Sequence, residues 1–304
     1  MPRDANEISS AGHKLGQLVG DWFEEFFVFP LLTKVANELD LFLDNRFVDR
    51  PARGEKIEWE DNEGNAVDYD FVLELNGRAD KRGIPVAFVE CFWRRGARHS
   101  KDKARDDSGK LLPMGETYPT ARFLGIVAAG DFTEPARDLV RGREIDLFYI
   151  PKDKVVQAFS DNDLAMDYPD SATEGYKSTL AGQFEVAFTK AKHRAVAHTL
   201  TTLVGAAATA SYVHRVRARL SALPQEIRLI LRHESRPLVF RTVGEVTEFL
   251  KTPSFRMDDP RESYLYQVTY SDGTEFERSV VSVDDLRTLH GQIQALADHM
   301  TTTT

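Results

Sequence analysis

Between Leu15 and Trp22 apolar residues recur at helical spacing, as Leu15, Leu18, Val19 and Trp22, with Ile8 before them and Phe26 after. This predicts a helix over residues 8–29. Pro30 kinks or restarts it, and Leu31, Leu32, Val35, Leu39 and Leu41 carry it onward. The period then falls to two. Ile57 and Trp59 alternate with charged residues, residues 61–64 form a turn, and residues 67–75 return as a strand. A polar loop over 76–83 leads to residues 84–93, a run apolar enough for a strand buried on both faces. Next come a polar helix over 100–112 and a buried strand over 122–129. Thr133 is placed to cap a helix with Pro135 in its first turn, residues 145–150 form a strand stopped by Pro151, and a short helix runs to Phe159.

Beyond residue 160 the pattern changes. Ser171-Ala-Thr-Glu174 is a capping-box sequence opening a long helical region to about Leu220. Strands are expected over 227–231 and 238–243, and a helix over 244–250. Strands over 264–270 and 274–283 flank the hairpin turn Ser271-Asp-Gly273, and a terminal helix spans 284–300, with Thr301 to Thr304 as a frayed end. The fold class is therefore α/β, a mixed central sheet flanked by helices in residues 1–160. Residues 161–304 form a helical bridge and a small α+β module.

Composition narrows the function. The chain has 304 residues, 42% of them hydrophobic, which is enough for a substantial core. Its single cysteine, Cys91, excludes a disulfide framework or a multi-cysteine zinc site and fits a cytoplasmic location. No apolar leader opens the chain, and the alanine-rich stretch near 195–213 reads as a buried helix, so no membrane partner is expected. The net charge of −9 repels nucleic acid overall, so such a role needs a local basic patch. One follows the second acidic strand: Arg94, Arg95, Arg98, His99, Lys101, Lys103 and Arg105. Elsewhere such a run would read as a solvated helix face.

Residues two apart on a strand share a face. Asp68, Asp70, Val72 and Glu74 therefore point one way, with Tyr69 and Phe71 on the core side. Val86, Phe88, Glu90, Phe92 and Arg94 share a face of the next strand. Once these strands pair, Asp70 and Glu90 converge near one end. Two carboxylates and the Cys91 carbonyl are oxygen ligands suited to Mg²⁺, with Mn²⁺ as an alternative. Asp68 and Asp70 alone would read as solvated strand residues. Glu90 closes a buried run and needs a partner or a metal. Ser108-Gly-Lys110 lacks the glycine spacing of a phosphate-binding loop, and His193 and His198 do not match a zinc-helix spacing.

Asp70 at the head of one strand, Glu90 at the end of the next, and the helix and strand after them resemble the PD-(D/E)xK nuclease superfamily over about residues 15–160. The resemblance implies a restriction-endonuclease-like core and a Mg²⁺-dependent DNA endonuclease of restriction or defence type. Double-stranded DNA would be the substrate, a homodimer the working form and a cognate methyltransferase a companion in the same system. It maps an early helical acid to Glu25, or less well to Glu24. The family's proline before the first acid is replaced by Tyr69, and its lysine by Phe92. Three explanations stand for Phe92. The cation has moved, to Arg94, Lys101 or Lys103; or catalysis is lost and the chain is a nucleic-acid-binding or assembly protein on the same fold; or the position is an engineered inactivation. In the first case Arg94, Lys101 or Lys103 stabilises charge at the phosphate, and Arg94, Arg95, Arg98, Lys101, Lys103 and Arg105 contact nucleic acid.

Overall fold

The apolar stripe that starts at Leu15 folds as α1 (Ala11–Trp22), but it does not continue as one α-helix. Residues Phe23–Val28 widen into a π-helical turn, where the N–H of Phe29 donates to the carbonyl of Glu24, five residues back. The chain then resumes as α2 (Phe29–Glu38), with Pro30 in its first turn. The wider turn shifts the inward register by one residue, so Phe23 and Phe27 are buried and Phe26 only half-buried. This computed structural model describes residues 11–231, 237–252 and 263–303; Ile8 and Thr304 lie outside them.

A five-stranded sheet follows, built from β1 (Phe42–Asn45), β4 (Phe71–Leu75), β5 (Ile84–Arg94), β6 (Phe123–Gly130) and β7 (Asp146–Pro151), in the order β1-β4-β5-β6-β7. β1, β4 and β5 are antiparallel, whereas β5, β6 and β7 are parallel. The parallel strands are joined through α3 (Ser100–Thr117) and α4 (Glu134–Arg141), as parallel pairing requires. The sheet is thus mixed and flanked by helices. Both faces are buried: Phe71, Val89, Val127 and Phe148 under α1, α2 and α5 (Lys152–Ser160), and Val72, Phe88, Ile126 and Ala128 under α3 and α4.

Two expectations change here. The place beside β4 belongs to β1, a four-residue strand too short to stand out from the preceding helix pattern. β2 (Glu58–Glu60) pairs instead with β3 (Ala66–Asp68) in a separate ribbon. The chain therefore bends at Tyr69–Asp70, and the strict alternation expected across 67–75 is broken. Tyr69 falls in the same core as Val72 and Phe88, while Phe71 faces the other. Asp68 is exposed and accepts the Ile57 N–H at 3.0 Å.

The helical region contains α6 (Glu174–Ala187), α7 (Lys190–Val204) and α8 (Ala206–Leu220). The cap of α6 is Thr173, not Ser171; its hydroxyl accepts the Tyr176 N–H. These helices add Leu180, Phe184, Val196 and Tyr212 to the α1 side of the sheet, so that core runs past residue 160 without a break. The last module has its own core. β8 (Pro224–Leu231), β9 (Leu238–Phe240), β10 (Tyr264–Tyr270) and β11 (Glu275–Val280) are ordered β11-β10-β8-β9 and packed with α9 (Val243–Lys251) and α10 (Val283–Thr303). The end expected to fray is helical to Thr303, with the Thr301 hydroxyl bonded to the Ala297 carbonyl.

One buried ion cluster ties the first hairpin together. Arg50 grips Glu74 with both terminal nitrogens, one of them at 2.8 Å, and reaches Asp44 at 2.6 Å. Arg53 also reaches Asp44, at 2.9 Å. Arg50 further donates to the carbonyls of Arg78 and Lys81, which fastens the 76–83 loop. Removing one member leaves the others charged and dry, a change that costs about 3–5 kcal/mol in buried pairs. Arg50→Met is expected to lower the unfolding free energy by about that amount, measured by urea denaturation, whereas loss of an exposed pair such as Lys251–Glu248 should cost under about 1 kcal/mol.

Candidate active site at the open edge of β5

β4 begins at Phe71, opposite Val89, so its pairing with β5 reaches no further than this residue. β5 continues to Arg94 with β6 as its one strand neighbour among the described residues, which leaves a notch in the sheet, a stretch of buried edge without a strand partner, on its β4 side from Glu90 onward. Asp70, at the bend before β4, fills the head of this notch. Its Oδ2 accepts the Cys91 N–H at 2.6 Å, a ladder donor that β4 no longer satisfies. Glu90 points from β5 toward α3 and is 3% exposed. The π-helical turn brings a third acid, Glu24, which is 5% exposed and near enough for its charge to act on Asp70 and Glu90.

Basic groups answer these acids from neighbouring elements. Lys110 of α3 places Nζ 3.2 Å from Glu90 Oε2. Two turns earlier Lys103 lies 2.7 Å from Asp107, which is fully buried on the same helix. Lys103, Asp107 and Lys110 follow an i, i+4, i+7 stripe, the side of α3 laid on β5. Arg46, just after β1, pairs with Glu24 at 2.6 Å and with Asp21 at 2.7 Å.

Burial still dominates the carboxylates. It pushes Glu24 up from 4.5 to about 8, with the Asp70 charge adding to the rise and Arg46 opposing it. Burial likewise raises Glu90 to about 8, with Asp70 and Asp107 adding and the two lysines opposing. Asp70 is also raised by burial, against the pull of the Cys91 amide and of Lys103 and Lys110. The Cys91 thiol is pushed well up by burial on the α1 side, which makes it a poor nucleophile.

The sequence-predicted residues separate into two groups. Asp70, Glu90 and Lys103 come together, with Phe92 beside them in the core under α3. Cys91 meets Asp70 through its backbone N–H. Glu25 does not join them: it is exposed, and the widened helical turn presents Glu24 in its place. Arg94 turns to the Arg98 carbonyl at 3.2 Å. Arg95 is held by Asp170 at 2.6 Å and stacks over Tyr168. Arg98, Lys101 and Arg105 are exposed. Lys110, Asp107 and Arg46 were not singled out by sequence. The charged stripe on α3, interleaved with Ala104 and Leu111, was the available signal for the first two; Arg46 has none, because only folding carries it to Glu24.

Each acid is thus engaged by its own donor, and among the described residues no group of three or more His, Cys, Asp or Glu side chains is arranged to hold a metal ion. Even so, Glu24 Oε1 and Glu90 Oε1 are buried without a hydrogen-bond partner. Unpartnered carboxylate oxygens are the chemical type of donor that a hard divalent cation takes, although these acids are not arranged as a metal-binding group in this structure. A cavity of about 710 Å³ lies elsewhere, between α3, α8 and the β10–β11 hairpin, and none of the three acids lines it. The acids are the stronger candidate site, because an open cleft of mixed charge carries no comparable cost of burial. Comparison of the chain with protein-family models, with curated proteins and with solved structures gives no match.

The raised carboxylates make stability depend on pH. Between about 4.5 and about 8 the folded chain holds protons on Glu24 and Glu90 that the unfolded chain has released. Their contribution is complete below the lower value and is lost as pH rises through the upper one. The melting temperature in EDTA should therefore fall from pH 5 to pH 8. Glu90→Gln should flatten that slope in a thermal-unfolding series; an unchanged slope would refute the assignment.

Proposed function

We propose that the chain is a Mg²⁺-dependent DNA endonuclease on a restriction-endonuclease-like core, its basic group supplied by α3 instead of β5. The observation that carries this reading is the Lys110 ammonium at 3.2 Å from the buried Glu90. Positive charge brought beside the acids from the neighbouring helix, by Lys103 and Lys110 together, answers the absence of a strand lysine at Phe92. The strand order, with β4 and β5 antiparallel and β5 and β6 parallel, also suits the reading. The full catalytic set would be Asp70, Glu90 and Glu24, with Lys103 and Lys110 opposite them.

Asp70 and Glu90 would hold the cation, and Glu24 would support it from the π-helical turn. Bound there, Mg²⁺ or Mn²⁺ supplies Lewis acidity to a phosphate and lowers the pKa of water. The chain's own part is electrostatic. Asp70 is fixed by the Cys91 amide and cannot swing away. Glu90 is kept within reach of an ammonium. The lysines place positive charge where a pentavalent phosphate gains negative charge, and in a dry site such charge acts with little screening. Phe92 and Phe132 pack edge to face at 5.2 Å and help keep water from that side. Exposed Arg98, Lys101 and Arg105 lie along the start of α3, where a DNA backbone would approach the notch. Cutting both strands would call for two copies of the chain.

Supercoiled plasmid incubated with the chain should be nicked or linearised with Mg²⁺ or Mn²⁺ and remain intact in EDTA. Asp70→Ala and Glu90→Ala should abolish cutting, and Lys110→Met should slow it about 10²-fold or more. Mg²⁺ should also raise the melting temperature at pH 8 for the unaltered chain and not for Glu90→Ala. No cutting with either metal, together with salt-sensitive DNA binding that ignores metal, would replace this reading with a binding role.

A further inference from the structure

We propose, on the strength of the nuclease reading, that Phe92 is a positioning residue for Lys103, which does the work of the missing strand lysine, while Lys110 serves as counter-ion to Glu90. The Lys103 ammonium lies 5.2 Å from the centre of the Phe92 ring. That places a positive charge over the strand position where the resemblance expects a lysine, two residues beyond Glu90 on the same strand face. A second hold comes from Asp107, 2.7 Å away on the helix. Ring and carboxylate grip the ammonium from two elements, so its four-carbon stem loses the freedom that normally makes an exposed lysine a diffuse charge.

The other cations do not fit this seat. Arg94 is turned to the Arg98 carbonyl, Lys101 is exposed, and Lys110 is committed to Glu90. Phe92 is itself rigid, 8% exposed and packed on Phe132. The face of an aromatic ring attracts an ammonium without donating a proton or carrying a charge. Phe92 can therefore hold Lys103 and still release it toward a phosphate, which a second carboxylate would not do as readily. A leucine would fill similar space and lack the attraction. Contacts of this kind correspond to roughly a 2- to 30-fold change in an equilibrium.

The test joins a structural readout to a kinetic one, both on the full chain. In lysine-labelled protein the ε-methylene signal of Lys103, assigned by its loss in Lys103→Met, should be shifted upfield by the ring. It should return to the free-lysine position in Phe92→Leu and stay shifted in Phe92→Tyr. Single-turnover plasmid nicking with Mn²⁺ should fall roughly tenfold in Phe92→Leu, with half-saturating DNA unchanged, and be rescued in Phe92→Tyr. Lys103→Met should slow nicking at least as much, and adding Phe92→Leu to it should cost nothing further. Phe92→Lys combined with Lys103→Met should recover cutting. Lys103→Met alters a partly exposed side chain, so the kinetic arm does not depend on Phe92 variants that fold poorly. An unshifted Lys103 signal, or wild-type nicking by Phe92→Leu or Lys103→Met, overturns the proposal. A shifted signal in a chain that never cuts overturns the nuclease reading and the catalytic role with it, leaving the ring–ammonium contact established.

Discussion

Burial of β5 on both faces is the constraint around which the rest of the molecule is arranged. From Pro85 to Trp93 every residue of this strand is buried, and one of them is a glutamate. A carboxylate there cannot be satisfied by water, so neighbouring layers must answer it. The helix on one face supplies Lys110 and Lys103. The strand on the open edge begins late enough for Asp70 to take over a ladder hydrogen bond. The helix on the other face widens by one residue and sends in Glu24. All three adjustments depart from regular secondary structure or ordinary polarity, and all three fall at the same place.

The charges there do not cancel. Four buried or half-buried acids, Glu24, Asp70, Glu90 and Asp107, face Lys103, Lys110 and Arg46, and three of them, Glu24, Glu90 and Asp107, retain an oxygen without any partner. The contrast with the Arg50 cluster is informative. There Glu74 is fully buried too, but Arg50 meets it with two nitrogens and the Gly83 N–H adds a third donor. Geometry of that kind closes a structural pair. The acids at the notch are held less completely, which sets them apart from the closed pair at Arg50.

The last module is joined to this core by specific contacts and does not hang from a linker. Arg122, at the start of β6, is buried with its guanidinium 3.2 Å from the centre of the Tyr270 ring, and it donates to Thr274 at 2.5 Å. Arg219 of α8 reaches Asp272 in the same hairpin at 3.3 Å. At the far end, His299 on α10 bonds the Leu39 carbonyl at 2.8 Å, while Leu296 and Met300 enter the core of the central sheet. The hairpin turn and the final helix therefore brace two separate parts of the first 160 residues.

Most elements were legible in the sequence, because their signals are local. Apolar period, Gly and Pro punctuation and turn chemistry marked β5, β6, β7, α3, α4 and the Ser271-Asp-Gly273 hairpin, and the apolar run around a lone Glu90 marked it as a buried acid. What tertiary structure decided depends on register and on contact across the fold. β1 was hidden because four residues carry too little pattern. Tyr69 changed sides because the chain bends where β4 leaves the β2–β3 ribbon. Glu24 replaced Glu25 because a π-helical turn has a period that no α-helical count reproduces. Lys110 and Arg46 became partners of buried acids only when α3 and the turn after β1 were laid beside the notch. The sequence alone determined which residues would be costly to bury; the packing of the layers decided which cations stand beside them, since that distance is set by elements far apart along the chain.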